Sequence, residues 1–236
     1  MSDSETRMGG RDNLRIVLKG GAHLSDVLLS KAQGGTKLER GIGELVAERP
    51  QGPALEIEQL PGGPAYEIRA EAEDSLDAVA GQGSPDLVVF DLEADIFGSP
   101  DHPVTGRLDL EAYIADLKAV VDLLKVGRGS HIFFVNASTV DPTGPVRNYH
   151  RLTADPIAIR IHKLDLALIE LSYQTGISII DVDRVLAEMG AGRHVRRALD
   201  YSPEACAAIA DEFVRVLDDY GFFEERPLLM QVGTQD

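Results

Sequence analysis

Apolar residues gather in five short runs along the chain, separated by helical periods and by glycine- and proline-rich stretches. Leu14 to Leu18, Asp86 to Leu92 and His131 to Val135 are nearly continuous apolar runs, the pattern of strands buried on both faces. Ala54 to Leu60 alternates with period two, and Ile177 to Asp181 makes a fifth run. Between the runs the period is helical. Leu110, Ile114, Leu117, Val121 and Leu124 form one stripe over 108–126, and Ile161, Leu164, Leu168 and Leu171 form another over 156–175. A helix follows Gly20-Gly21, breaks at Gly34-Gly35 and resumes through Ile42, Leu45 and Val46; Pro64 opens the next, carrying Tyr66, Ile68, Leu76 and Val79. Val182 to Met189 is a short helix. Ser202-Pro203-Glu204 supplies the cap and first turn of a last one reaching Tyr220. Glu93 to Gly106 and the stretch from Val135 to Asp155 read as long loops.

Apolar strands alternating with helices predict an α/β fold, a flavodoxin-like three-layer sandwich. Its five-stranded parallel sheet has the order 2-1-3-4-5, with helices on both faces and right-handed crossovers. That order gathers the carboxyl ends of the first three strands around one crevice, where ligands of such sheets bind. One domain is expected over residues 13–232, with residues 1–12 a disordered leader and 233–236 a frayed tail.

The formal charge of −16 over 236 residues argues against binding of nucleic acid or of an anionic membrane surface, both polyanions. It leaves room for a small anionic ligand in a local basic pocket. Two basic clusters suit that role: Arg147, His150, Arg151, Arg160, His162 and Lys163 after the fourth strand, and Arg193, His194, Arg196 and Arg197 after the fifth. The planar fork of Arg binds carboxylate or phosphate in bidentate fashion, and Asn136, Ser138 and Tyr149 could add neutral hydrogen bonds. Cys206 is the single cysteine, so nothing points to an oxidising compartment. The first residues are acidic rather than basic, and no run approaches the roughly 18 apolar residues of a membrane span. A cytoplasmic location is expected, and a homo-oligomer is left open.

Asp91, Glu93 and Asp95 alternate. If the third strand continued through them, their carboxylates would share one face, a weak candidate set for Mg²⁺ or Mn²⁺. No His-Cys cluster has zinc spacing and no phosphate-binding glycine motif is present. No cofactor is therefore expected.

The order of these pieces resembles the SGNH (GDSL-type) hydrolase superfamily over about Leu14 to Phe222. Leu199-Asp-Tyr-Ser-Pro-Glu-Ala-Cys-Ala-Ala-Ile-Ala210 is similar to that superfamily's last block, where a catalytic His precedes the final helix, and Gly62-Gly63 to its second, where a Gly amide binds an oxyanion. The resemblance implies an ester hydrolase, yet the reacting groups have changed. The Gly-Asp-Ser-Leu block falls on Gly21-Ala22-His23-Leu24, putting His23 at the serine. The Gly-x-Asn-Asp block falls on Leu92-Glu93-Ala94-Asp95, and the Asp-x-x-His pair on Arg197 and Asp200. Hydroxyl, base and one oxyanion donor are missing from a serine esterase's set.

Two replacements are open. Ser25 could act if the turn is shifted, or cap the helix. His23 could pair with Asp200 as base or transient nucleophile, with the Gly21 and Gly63 amides as donors, or the pair could be a structural ion pair. The expected function is an atypical ester hydrolase or acyl transferase acting on a small anionic substrate. The alternative is a catalytically inactive binding or partner module for an anionic ligand.

Overall fold

The structure, a computed structural model, describes residues 13–29, 41–49, 52–60, 85–98, 107–140, 155–197 and 199–223. Five parallel strands form the central sheet: β1 (Asn13–Lys19), β2 (Ala54–Leu60), β3 (Leu87–Asp91), β4 (His131–Val135) and β5 (Ser178–Ile180), in the order β2-β1-β3-β4-β5. Register runs Ile16 to Ile57, Val17 to Val88, Phe90 to Phe134 and Phe134 to Ile179. The fold is the expected flavodoxin-like three-layer sandwich.

Among the described residues seven α-helices flank or follow the strands: α1 (Ala22–Leu29), α2 (Ile42–Ala47), α3 (Glu93–Phe97), α4 (Leu110–Arg128), α5 (Ile157–Thr175), α6 (Val182–Met189) and α7 (Pro203–Asp219). Alternate strand residues divide the core in two. Leu14, Ile16, Leu18, Val89, Phe133 and Val135 pack against α1, α2, α6 and α7. Val88, Phe90, Ile132 and Phe134 pack against α4 and α5. Local chemistry sets the helix ends. Asp109, Asp181 and Ser202 cap α4, α6 and α7 by accepting the amides of Ala112, Arg184 and Ala205. Gly129 and Gly176 close α4 and α5 in the left-handed region, at φ of 70° and 68°.

Two parts differ from the sequence expectation. Residues 93–97 are helical rather than loop, because Glu93 and Asp95 place acids in a first turn and the Asp91 carboxylate accepts the Glu93 amide. The third strand therefore stops at Asp91, and Asp91, Glu93 and Asp95 do not line one strand face. The second difference is a two-stranded antiparallel pair, β6 (Val195–Arg197) with β7 (Asp200–Tyr201), ahead of α7. The helix read from Pro64 onward, residues 1–12 and residues 233–236 lie outside the described residues. Among the described residues no helix is long and apolar enough to cross a membrane.

Candidate functional site

The strand order reverses beside β1, so the carboxyl ends of β1 and β3 flank the switch point of the sheet. Asp91 ends β3 there, 5% exposed. Its Oδ2 accepts the Gly21 N–H at 3.1 Å, and its Oδ1 accepts the Glu93 N–H at 3.1 Å. One carboxylate thus ties the turn after β1 to the first amide of α3.

The glycines of that turn are there for space, since neither has a positive φ. A Cβ on Gly20 would lie 2.5 Å from Asp91 Oδ2, and one on Gly21 would lie 2.0 Å from Glu93 Oε2. Two carboxylates press on the Gly20-Gly21 backbone, and only hydrogen at Cα lets them. Burial pushes the Asp91 carboxyl up to about 7; the Glu93 charge adds to the rise, while the amides of Glu93 and Gly21 oppose it.

A second polar group forms at the β4 and β5 ends. Asn136 is buried there, and its Oδ1 accepts the Val182 N–H of α6 at 2.7 Å. Ser138 donates its N–H to Tyr201 Oη at 3.0 Å and its hydroxyl to Asp183 Oδ1 at 2.9 Å, while the Thr139 N–H also reaches Asp183 at 2.9 Å. Burial, then the charges of Asp183 and Asp181, push Asp165 on α5 up to about 7. Burial raises the Tyr201 phenol as well. His194 stands at the foot of the same segment, its Nδ1 2.8 Å from Ser202 Oγ and its carbonyl accepting the Ser202 N–H at 2.7 Å. Leu199, at φ 64°, makes the turn between β6 and β7 beside Asp200. A leucine in the left-handed region is strained, and such strain gathers at functional sites.

The residues singled out in the sequence are distributed as follows. Gly21 reaches the switch point with its amide on Asp91. Asn136 accepts the first amide of α6, the helix that Asp181 caps. Asp200 is exposed on β7, in register with Arg197. His23 and Ser25 stand in α1, directly after the turn, and Arg196 and Arg197 in β6; the side chains of these four lie outside the described residues, as do Gly63 and Tyr149 entirely. Glu93 starts α3 over Gly21, and Asp95 is buried within α3. No group of three or more His, Cys, Asp or Glu among the described residues is placed to hold a metal ion.

The clamping role of Asp91 was not legible locally, because its partner Gly21 is 70 residues away. One signal did exist. A charged residue closing the run Leu87-Val88-Val89-Phe90, buried throughout, has to be held by something.

A 2-1-3-4-5 sheet with a glycine turn after β1, a polar switch point and a Ser-Pro-Glu helix start define the SGNH-like three-layer α/β fold. Solved structures agree. The acetyl xylan esterase AlAXEase superposes with a TM-score of 0.61 at 12% identity, over 86% of this chain and all of that one. Axe2, an acetylxylan esterase from Geobacillus stearothermophilus, gives 0.57 at 14% identity, over 88% of this chain and 94% of that one. A putative GDSL-like lipase from Parabacteroides merdae gives 0.56 at 12% identity, over 91% and 99%. Neither a protein-family model nor a curated protein matches the chain.

Proposed function

We propose that this chain is an atypical ester hydrolase or acyl transferase, in which acid–base chemistry at Asp91 replaces the serine machinery of the fold. The observation that carries the reading is a buried carboxyl at the β1–β3 switch point, pushed up to about 7. A general base or acid works best with its pKa near the operating pH. The Asp91 carboxylate takes a proton from an attacking water or alcohol as that oxygen adds to the ester carbonyl, then returns it to the departing alkoxide. In this scheme the Gly21 amide positions Asp91, and the Gly63 amide is left to meet the oxyanion. His23, with Asp200 as its orienting partner, is the second candidate for the proton, and Ser25 the candidate for a direct nucleophile.

The substrate reading shifts with the surroundings. Asp91 and Glu93 make the reacting centre acidic, which suits a neutral acyl group there. Any anionic part of the substrate would then lie toward Arg196 and Arg197. Hydrolysis of p-nitrophenyl acetate by the full chain tests the scheme. Asp91→Asn should cost at least about 100-fold in kcat/KM, the wild-type profile should rise through pH 7, and Ser25→Ala should leave the rate unchanged. His23→Ala separates the two bases. A wild type without esterase activity, or an Asp91→Asn variant with full activity, removes the proposal.

One observation favours a second reading. Asp91 already occupies the Gly21 amide and puts a carboxylate where a developing oxyanion would be repelled. A binding module with no turnover would tolerate that. It predicts that inorganic phosphate or an acyl-CoA raises the melting temperature while no ester is cleaved.

A further inference from the structure

Helix α5 turns an apolar face outward. Its inner side is the buried stripe Ile161, Leu164, Leu168 and Leu171, yet Ile159 is 48% exposed, Leu166 57%, Ile169 47% and Tyr173 85%. At 100° per residue these four fall within one quadrant of the helix. With the exposed His162 between them, they make a continuous strip along a helix of 19 residues, about 28 Å long at 1.5 Å per residue. An apolar strip of that length marks an interaction surface rather than a scatter of surface residues.

The strip is self-complementary. Its midpoint in the helix is Leu166. Laying α5 antiparallel on a second α5 about that midpoint sets Leu166 on Leu166 and Ile159 on Tyr173. It also sets His162, a ring N–H donor, against Glu170, an exposed carboxylate that accepts a hydrogen bond from the neutral Gln174. An isologous two-fold interface requires this reciprocity: what residue i offers, its counterpart j accepts.

We propose that the chain forms a two-fold homodimer through antiparallel pairing of α5 centred on Leu166. One helix face buries on the order of 400 Å² per copy, about half of a standard interface. An interface of that size belongs with weak, transient contacts, so the dimer should dissociate on dilution. The interface is independent of the chemistry assigned to Asp91.

Sedimentation velocity of the full chain from about 1 to 300 µM tests this, a range that brackets micromolar dissociation constants. The wild type should move from monomer toward dimer across it. Leu166→Glu sets two carboxylates against each other on the axis and should weaken the dimer more than tenfold, with the far-ultraviolet spectrum and the melting temperature at about 1 µM, where the chain is monomeric, unchanged because the site is exposed. Glu170→Lys should weaken it too, and His162→Glu combined with Glu170→Lys should restore it, since only a reciprocal contact can be repaired by reversal. A chain monomeric throughout, a dimer indifferent to Leu166→Glu, or a double variant weaker than Glu170→Lys overturns the proposal. So does a dimer that appears only after residues 224–236 are deleted, because the chain's own tail would then be the occupant.

Discussion

Replacing Asp91 by Asn removes one buried ionisable group, and the structure says how stability should answer to pH. The rise of its pKa from 3.8 to about 7 corresponds to about 4 kcal/mol, at about 1.4 kcal/mol for each tenfold step. Because the folded value lies above the unfolded one, the fold binds the extra proton. The stabilisation is full below about pH 4 and is lost as pH rises through 7. Between pH 5 and 8 Asp91 alone should lower unfolding free energy by about 2–3 kcal/mol.

Urea unfolding of wild type and Asp91→Asn at pH 5, 6, 7 and 8 reads this directly. Asn keeps one acceptor oxygen where two amides need one each, so the variant should be weaker at pH 5 by about 1–3 kcal/mol. That deficit should shrink or reverse by pH 8, where the wild type carries a buried charge. Asp165, also raised to about 7, slopes the same way. His131, lowered first by burial and then by the Lys125 charge, slopes the other way. Both cancel in the difference between the proteins. Parallel pH curves for the two would refute the assignment of a raised pKa to Asp91, and with it the acid–base scheme.

Four other substitutions probe the carboxyl edge of the sheet and the segment leading into α7. Gly20→Ala drives a methyl into the buried Asp91 and should cost about 1–3 kcal/mol, whereas Gly21→Ala meets the end of a Glu93 side chain and should recover most of its loss in a Glu93→Ala background; thermal melts compare them. Tyr201→Phe leaves the buried Ser138 N–H without its acceptor and should lower stability by about 1–3 kcal/mol in urea titration. Ser202→Ala removes the α7 cap and the contact to His194 and should cost about 1 kcal/mol; an unchanged melting temperature would mean that neither bond matters.

The frame was readable because burial on both faces writes itself as apolar runs. Ala54–Leu60 and His131–Val135 fall where the pattern puts them, and Ser202 caps α7 as its sequence suggests. What stayed hidden depends on contacts across the chain. Asn136 reads as a loop amide until α6 arrives 46 residues later to bond it. The β6–β7 pair needs a left-handed Leu199, and leucine carries no turn signal of the kind Gly or Asn would. The short α3 starts on acids that look like loop solvation until Asp91 bonds its first amide.

The same distinction explains how a sheet of this kind can change its chemistry while keeping its order. The core residues of β1, β3 and β4 hold the layers together, and none of them enters the chemistry at the strand ends. The polar edge consists of Asp91, the last residue of β3, and the residues just past the strands, outside the apolar packing between the layers. With glycine at both positions of the turn after β1, a carboxylate can close on its backbone without steric conflict. Asp91 and Glu93 do close on it, 2.5 and 2.0 Å from where a Cβ would stand. A serine side chain at Gly20 or Gly21 would be driven into these acids, so placing a hydroxyl at either position would require Asp91 and Glu93 to be displaced or replaced. The carboxylate clamp and a serine nucleophile at either glycine are alternatives on one scaffold. A Gly21→Ser variant that cleaves p-nitrophenyl acetate only when combined with Glu93→Ala would demonstrate it, and equal activity in the single and double variants would refute it.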